Sequence, residues 1–171
     1  MLNRSGNTRQ HDPRGLRYAG RCDIWRAGLI HCESNALTAC IGRFCRNLRE
    51  SIETTARFFR VADPTLVYTL KVSDNVSSIS FTCIDGYMTR YHRYTEFLGL
   101  AALSRMQTLT RTEFFPLEMH LPHHLPNFAA KFRKLAGFPV IFGAENFEIF
   151  LPQSALDLLV PTYVIHGFAI I

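Results

Sequence analysis

The first clear periodicity in the chain starts at Asn47. Leu48, Ile52, Ala56 and Phe59 recur four, four and three residues apart, which places them on one helical face. Arg49, Glu50, Glu53, Arg57 and Arg60 fall off that stripe. Asn47 and Glu50 have the spacing of an N-cap and its N3 partner, and Glu53 and Arg57 form an i,i+4 pair in the favourable order. Pro64 disfavours helix at Asp63, so a helix is predicted from Asn47 to about Ala62. The period then drops to two. Leu66, Tyr68, Leu70 and Val72 alternate with Val67, Thr69 and Lys71. After the turn SDNVS, Ile79, Phe81 and Cys83 alternate with Ser80 and Thr82. Two such runs around a short polar turn predict an antiparallel hairpin, residues 66–72 with 79–84.

Residues 90–110, RYHRYTEFLGLAALSRMQTLT, form the longest helical pattern. Tyr91, Tyr94, Phe97, Leu98, Ala101, Ala102, Leu103, Met106 and Leu109 wrap widely around it, so the helix should be buried on most sides. PLEMHL, residues 116–121, alternates Leu117, Met119 and Leu121 against Glu118 and His120, as a strand does. Asn127 is placed to cap a helix over NFAAKFRKLAG, with Phe128, Phe132 and Leu135 inward and Gly137 at its end. In FPVIFGAENFEIFLP, residues 138–152, aromatic runs flank a GAEN break, which is a hairpin signal. Helices grouped beside antiparallel strands predict an α+β fold. Its sheet is built from two hairpins and one further strand and packs against a long central helix and flanking helices.

Composition narrows the class. A chain of 171 residues with 47% apolar and 19% charged residues is in the globular range. A chain of this length buries on the order of 70% of its unfolded surface. The longest clean apolar run, FLGLAAL at 97–103, is far short of a membrane span. The polar N-terminus has no signal-peptide core, so the expected compartment is the cytoplasm. The five cysteines, Cys22, Cys32, Cys40, Cys45 and Cys83, are odd in number and irregular in spacing, which argues for reduced thiols. Charge is uneven: residues 1–60 hold eleven arginines against five acids, and residues 61–171 are close to balance. A basic arm suits nucleic acid, but no aromatic stacking pattern accompanies the arginines. Residues 1–40 are therefore expected to form a basic, poorly ordered segment and residues 162–171 a short tail.

Candidate chemistry is sparse. His120, His123 and His124 in HLPHH have metal-ligating side chains, but a strand puts only alternate residues on one face, Pro122 bends the segment, and no Asp, Glu or Cys lies within residues 119–127 to complete a site. Cys83 with His92 or His120 has the elements of a nucleophilic pair, but Cys83 is in phase with Ile79 and Phe81 and reads as core. There is no G-x-S-x-G, Walker loop, G-x-G-x-x-G or H-E-x-x-H. Glu96, Glu113, Glu118, Glu145 and Glu148 show no pairing by spacing. Tyr91, Tyr94, Phe97, Phe128, Phe132, Phe142, Phe147 and Phe150 suit either plain core or the lining of an apolar pocket. No catalytic residue, metal ligand or cofactor is assigned, and the binding residues stay open.

From about Ile41 to Pro161 these segments together resemble the N-terminal, arabinose-binding-like regulatory domain of AraC-type bacterial transcription regulators. NLRESIETTARFFRVADP and RYTEFLGLAAL resemble that family's first and central helices. The densest part is FFPLEMHLPHHLPNFAAKFRKLAGFPVIFGAENFEIFLPQSALDLLVP. There Pro116, His123, Pro126, Gly137, Pro139, Val140, Phe142, Gly143, Ala144, Asn146 and Pro161 are at the family's motif positions. The resemblance implies a non-enzymatic sensor domain over residues 41–161. A small-molecule effector and a homodimer are its implied partners.

The family's DNA reader, a double helix-turn-helix module, is not matched by any segment, so direct operator binding is not expected from this chain. A truncated regulator, or the remnant of a longer one, is expected. Residues 1–40 depart from the family pattern, which an altered 5′ coding region would explain. Two other classes stand beside this reading: nucleic-acid binding through the Arg-rich arm, and a small metal- or cysteine-dependent enzyme.

Overall fold

The computed structural model describes residues 41–161 apart from 74, 85–91 and 126. The arm at 1–40, the tail at 162–171 and Tyr91 lie outside the described residues. The elements in chain order are α1 (Leu48–Ala62), β1 (Leu66–Val72), β2 (Val76–Cys83), α2 (His92–Thr110), β3 (Glu118–Leu121), α3 (Ala129–Ala136), β4 (Val140–Phe142), β5 (Phe147–Pro152) and α4 (Gln153–Leu156). The α+β class and the mostly antiparallel sheet agree with the sequence reading.

Asn47 caps α1 as predicted, its side chain accepting from the Glu50 amide at 2.9 Å. The Glu50 carboxylate reaches one residue further back than a capping box does, and accepts from the Arg46 backbone and guanidinium at 2.9 and 3.1 Å. The Arg46 contacts hold the Glu50 carboxyl below the usual carboxylate range. Leu48, Ile52 and Phe59 are buried, but Ala56 is only partly so, and Ser51 and Thr55 complete the inner face. The Asp63 amide closes the last turn on the Phe59 carbonyl.

The strand order is β1-β2-β5-β3-β4. β5 is the centre: Ile149 pairs with Ile79 of β2 on one side and Met119 of β3 on the other. All three are fully buried. Side-chain alternation gives the sheet two unlike faces. Tyr68, Ile79, Phe81, Met119, Leu121, Phe147, Ile149 and Leu151 face inward. Thr69, Lys71, Ser78, Ser80, Glu118, His120, Glu148 and Phe150 face outward. The helices pack on the inner face. Phe59 of α1 stacks on Tyr68, Tyr68 packs on Phe81, and Phe81 stacks on Phe147, with ring centroids 4.8 to 5.5 Å apart.

Three details differ from the sequence reading. β2 begins at Val76, three residues early, because Ser77 and Ser78 are drawn into a strand paired on both sides. The Ser77 hydroxyl lies 2.9 Å from the Gln153 amide. Secondly, Phe128, not Asn127, is at the N-cap of α3 and makes no side-chain cap. Gly137 ends that helix in the left-handed region at φ 78, as expected. Thirdly, the chain reverses at Gly143–Asn146 as a hairpin would, but β4 and β5 do not pair. β3 lies between them, antiparallel to β5 and parallel to β4. The crossover through α3 makes a parallel β3–β4 pair feasible. The four loop residues can span two strand spacings, about 10 Å. The loop is anchored over the end of β3: the Gly143 amide donates to the Leu121 and His123 carbonyls at 2.9 and 3.0 Å.

α2 is buried on most sides, as its composition predicts. It meets the sheet at Gly99, where an added Cβ would be 2.8 Å from Met119 Sδ and 3.3 Å from Phe147 Cζ. Gly99→Leu is expected to cost about 1–3 kcal/mol through overpacking. Gly99→Ala should change stability less, because the end of Met119 can swing aside and Ala gains about 1 kcal/mol of helix propensity. Urea unfolding of the three proteins checks the order.

Tyr94 of α2 is pushed up to about 12 by burial first and then by the Asp63 charge, whose carboxylate lies 3.4 Å from the hydroxyl. Burial also raises Tyr68 well above the usual tyrosine range. A tyrosine in the unfolded chain ionises near 10. Both groups therefore hold protons that the unfolded chain loses between about pH 10 and 12. Their stabilisation is complete below about pH 10 and falls as pH rises through that window. Urea midpoints at pH 9 and pH 11 should fall less in Tyr94→Phe than in the wild type.

Candidate functional site

Glu96 lies on the inner stripe of α2, in register with Leu100 and Leu103, and is fully buried. A carboxylate in that position needs a partner, and His123 provides one. His123 continues the inward alternation of Met119 and Leu121 past the end of β3 and is 3% exposed. Its Nε2 is 2.8 Å from Glu96 Oε1. His92 is one helical turn before Glu96 and covers the imidazole face, with centroids 4.4 Å apart and planes within 10°. Phe142 of β4 meets the same ring edge-on at 5.6 Å. α2, β3 and β4 therefore meet at one imidazole.

The neighbouring turn is close-packed. Gly143 has φ 78, and a Cβ there would collide with the His124 ring. Only glycine combines that backbone conformation with that contact. The Arg133 guanidinium of α3 donates to the Val140 carbonyl at 2.8 Å and lies over the Phe142 ring at 5.6 Å. The far side of Phe142 is filled by Phe132, edge-on at 5.6 Å. Phe142 is thus wedged between the histidine and the crossover helix.

The three histidines of HLPHH do not converge. His120 is on the outer face, 2.9 Å from Glu118 and packed on Phe150. His123 is inside with Glu96, and His124 is exposed over Gly143. Among the described residues no three His, Cys, Asp or Glu side chains are grouped to hold a metal ion. Cys83 is buried on the inner face, opposite to that of His120, so those two cannot act on one substrate. Glu148 is 3.9 Å from Lys71, and Glu113 and Glu145 are exposed.

The aromatic residues are spread over several places. Phe132 and Phe147 are fully buried, Phe142 touches His123, Phe150 is on the outer face, and Tyr94 and Phe128 are 41% and 40% exposed. Sequence reasoning missed Glu96 and His92 as parts of one site. The readable signal was their i,i+4 spacing together with a carboxylate in the apolar register.

The family model described as the arabinose-binding domain of AraC transcription regulator, N-term, matches residues 25–160. Among curated proteins no sequence matches. Among solved structures, the crystal structure of the transcriptional regulator CdpR from Pseudomonas aeruginosa is similar in fold. Its TM-score is 0.67 at 14% identity, covering 83% of this chain and 47% of that one. The chain thus spans about half the length of that structure. Its match to the family model includes both hydrogen-bonded carboxylate–histidine partners and every strand of the sheet. The chain belongs to the family of arabinose-binding N-terminal domains of AraC transcription regulators.

Proposed function

We propose that residues 41–161 sense a small-molecule effector on behalf of transcription regulation. The family match over residues 25–160 carries this reading. The geometry supports it in one respect. The central helix and the β3–β4 crossover meet at Glu96 and His123, so a ligand that perturbs this junction acts on both layers of the domain. The family match supports a regulatory role for this junction. The residues that contact the effector are not set by the family match, and arabinose itself is not assigned to this chain.

Self-association is the second reading, and an edge of the sheet supports it. β4 is a terminal strand, and its Ile141 is 43% exposed. A terminal strand is a template for pairing with another chain where its edge is open; in β4 the Arg133 guanidinium already takes the Val140 carbonyl, which leaves the Ile141 side chain for such a contact. If β4 forms the contact, Ile141→Lys should shift the sedimentation coefficient from dimer to monomer at micromolar concentration. An unchanged coefficient counts against this edge.

Thermal-shift screening of the purified chain against a broad metabolite panel tests the first reading. A ligand at a hundred times its Kd adds about 2.7 kcal/mol. In a chain of this size that raises Tm by roughly 5–10 °C. A panel without any compound giving such a rise would set the sensing role aside.

A further inference from the structure

The two ends of the sheet are not equally closed. β4 is a terminal strand of three residues, and β1, at the opposite end, has seven. The Ile84 amide donates to the Thr65 carbonyl at 2.9 Å, and the Ser73 amide donates to the Val76 carbonyl at 3.2 Å. These bonds continue the β1–β2 register at its two ends. Bonded residues alternate along such a ladder, so Val67, Thr69 and Lys71 turn their main-chain groups toward β2. Leu66, Tyr68, Leu70 and Val72 turn theirs away. The Leu66 amide closes a turn on the Asp63 carbonyl. The amides and carbonyls of Tyr68, Leu70 and Val72 have no partner among the described residues.

A lysine is a common guard on such an edge. Here the guard is drawn aside. Lys71 Nζ lies 3.9 Å from Glu148 of β5, on the far side of β2. The outer-face residues between them are Ser78, the register partner of Lys71, and Ser80, the partner of Glu148. Both are short, so the lysine crosses above them and away from the edge. The strand is also self-complementary. With Leu70 on a two-fold axis, Leu70 is opposite Leu70, and Tyr68 of each copy is opposite Val72 of the other. These residues have the outward main-chain groups, so each pair exchanges two hydrogen bonds. An aromatic thus faces a β-branched residue on the inner face, where Val72 is 46% exposed. On the outer face Lys71 is opposite Thr69, so no like charges meet. We propose that the free edge of β1 is a pairing surface for a second copy of this chain, joined antiparallel into one continuous sheet, and that the Lys71–Glu148 pair keeps this edge open. This assignment rests on the self-association reading above and moves the contact to the edge opposite β4.

The test is sedimentation equilibrium of the full chain at micromolar concentration, together with amide hydrogen exchange at low and high protein concentration. The expected result is a monomer–dimer equilibrium in which protection of the Leu70 and Val72 amides rises with concentration. The Val67, Thr69 and Lys71 amides, already bonded to β2, should be protected throughout. Val72→Pro removes an outward N–H and none of the β1–β2 bonds, a position where an edge strand tolerates proline. It should raise the dimer Kd at least about tenfold, because the symmetric contact loses the bond twice. Glu148→Gln releases Lys71 and should raise Kd severalfold, but not in a Lys71→Ala background. Ile141→Lys on β4 should leave Kd unchanged.

Two outcomes overturn the proposal: a dimer that Val72→Pro leaves intact, or Leu70 and Val72 amides whose protection is the same at every concentration, as an edge covered within one chain would give. An unchanged Kd in Glu148→Gln overturns the role of the Lys71–Glu148 pair. If Ile141→Lys dissociates the dimer and Val72→Pro does not, this assignment falls and self-association stands through β4. A chain that is monomeric at every concentration removes both. If Val72→Pro does not fold, hydrogen exchange of the unaltered chain decides alone.

Discussion

The contact of α2 with the sheet at Gly99 sets the distance between the two layers. With no side chain at that position, the helix backbone rests on Met119 and Phe147. The short separation has a consequence three residues earlier. Glu96 is pressed into the same interior and has no route to bulk water. An isolated carboxylate there would be far too costly. His123, at the end of the strand that holds Met119, takes up that requirement. A steric choice at one glycine thus creates the need for a polar bond, and the bond in turn fixes where β3 ends.

The same bond joins parts that are distant in sequence. α2 reaches β3 through Glu96 and His123, β3 reaches β4 through backbone pairing, and β4 reaches α3 through Phe142 and Phe132. Removing one partner of a buried hydrogen bond is destabilising because the other polar group is left unsatisfied. The junction is therefore a point of high local cost in a sheet otherwise held by apolar packing. A regulatory domain has reason to keep such a point, since a ligand acts on an equilibrium only through different contacts in its two states. The outer face of the sheet, with its serines and the Lys71–Glu148 and His120–Glu118 pairs, carries far less of this tension.

Much of the fold was legible because local and tertiary preferences agree. The Leu48–Phe59 stripe, the Asn47 cap and the left-handed Gly137 are all local features, and each is present. The features that were missed are those set by distant partners. Ser77 and Ser78 have little strand preference, but β1 and β5 impose it from either side. The GAEN reversal has the chemistry of a hairpin turn, and nothing in it reveals that another strand lies between its arms. The buried pair was half visible. Glu96 was in the apolar register of its helix, and His123 in the inward phase of its strand. That they meet depends on how far α2 lies along the sheet, and no short window of sequence encodes that distance.

The strand order has a consequence for synthesis of the protein. β1 and β2 form one unit and β3 and β4 another, and among the described strands only β5 joins them. It is also the last of the described strands in chain order. Without residues 147–152, the β1–β2 pair and the β3–β4 pair each lack a neighbour on the edge that β5 fills in the folded domain. Chains generally fold as units during translation at about 5–20 residues per second. For this domain, closure of the sheet waits for a single late segment, and the buried surfaces of both halves stay open until it emerges.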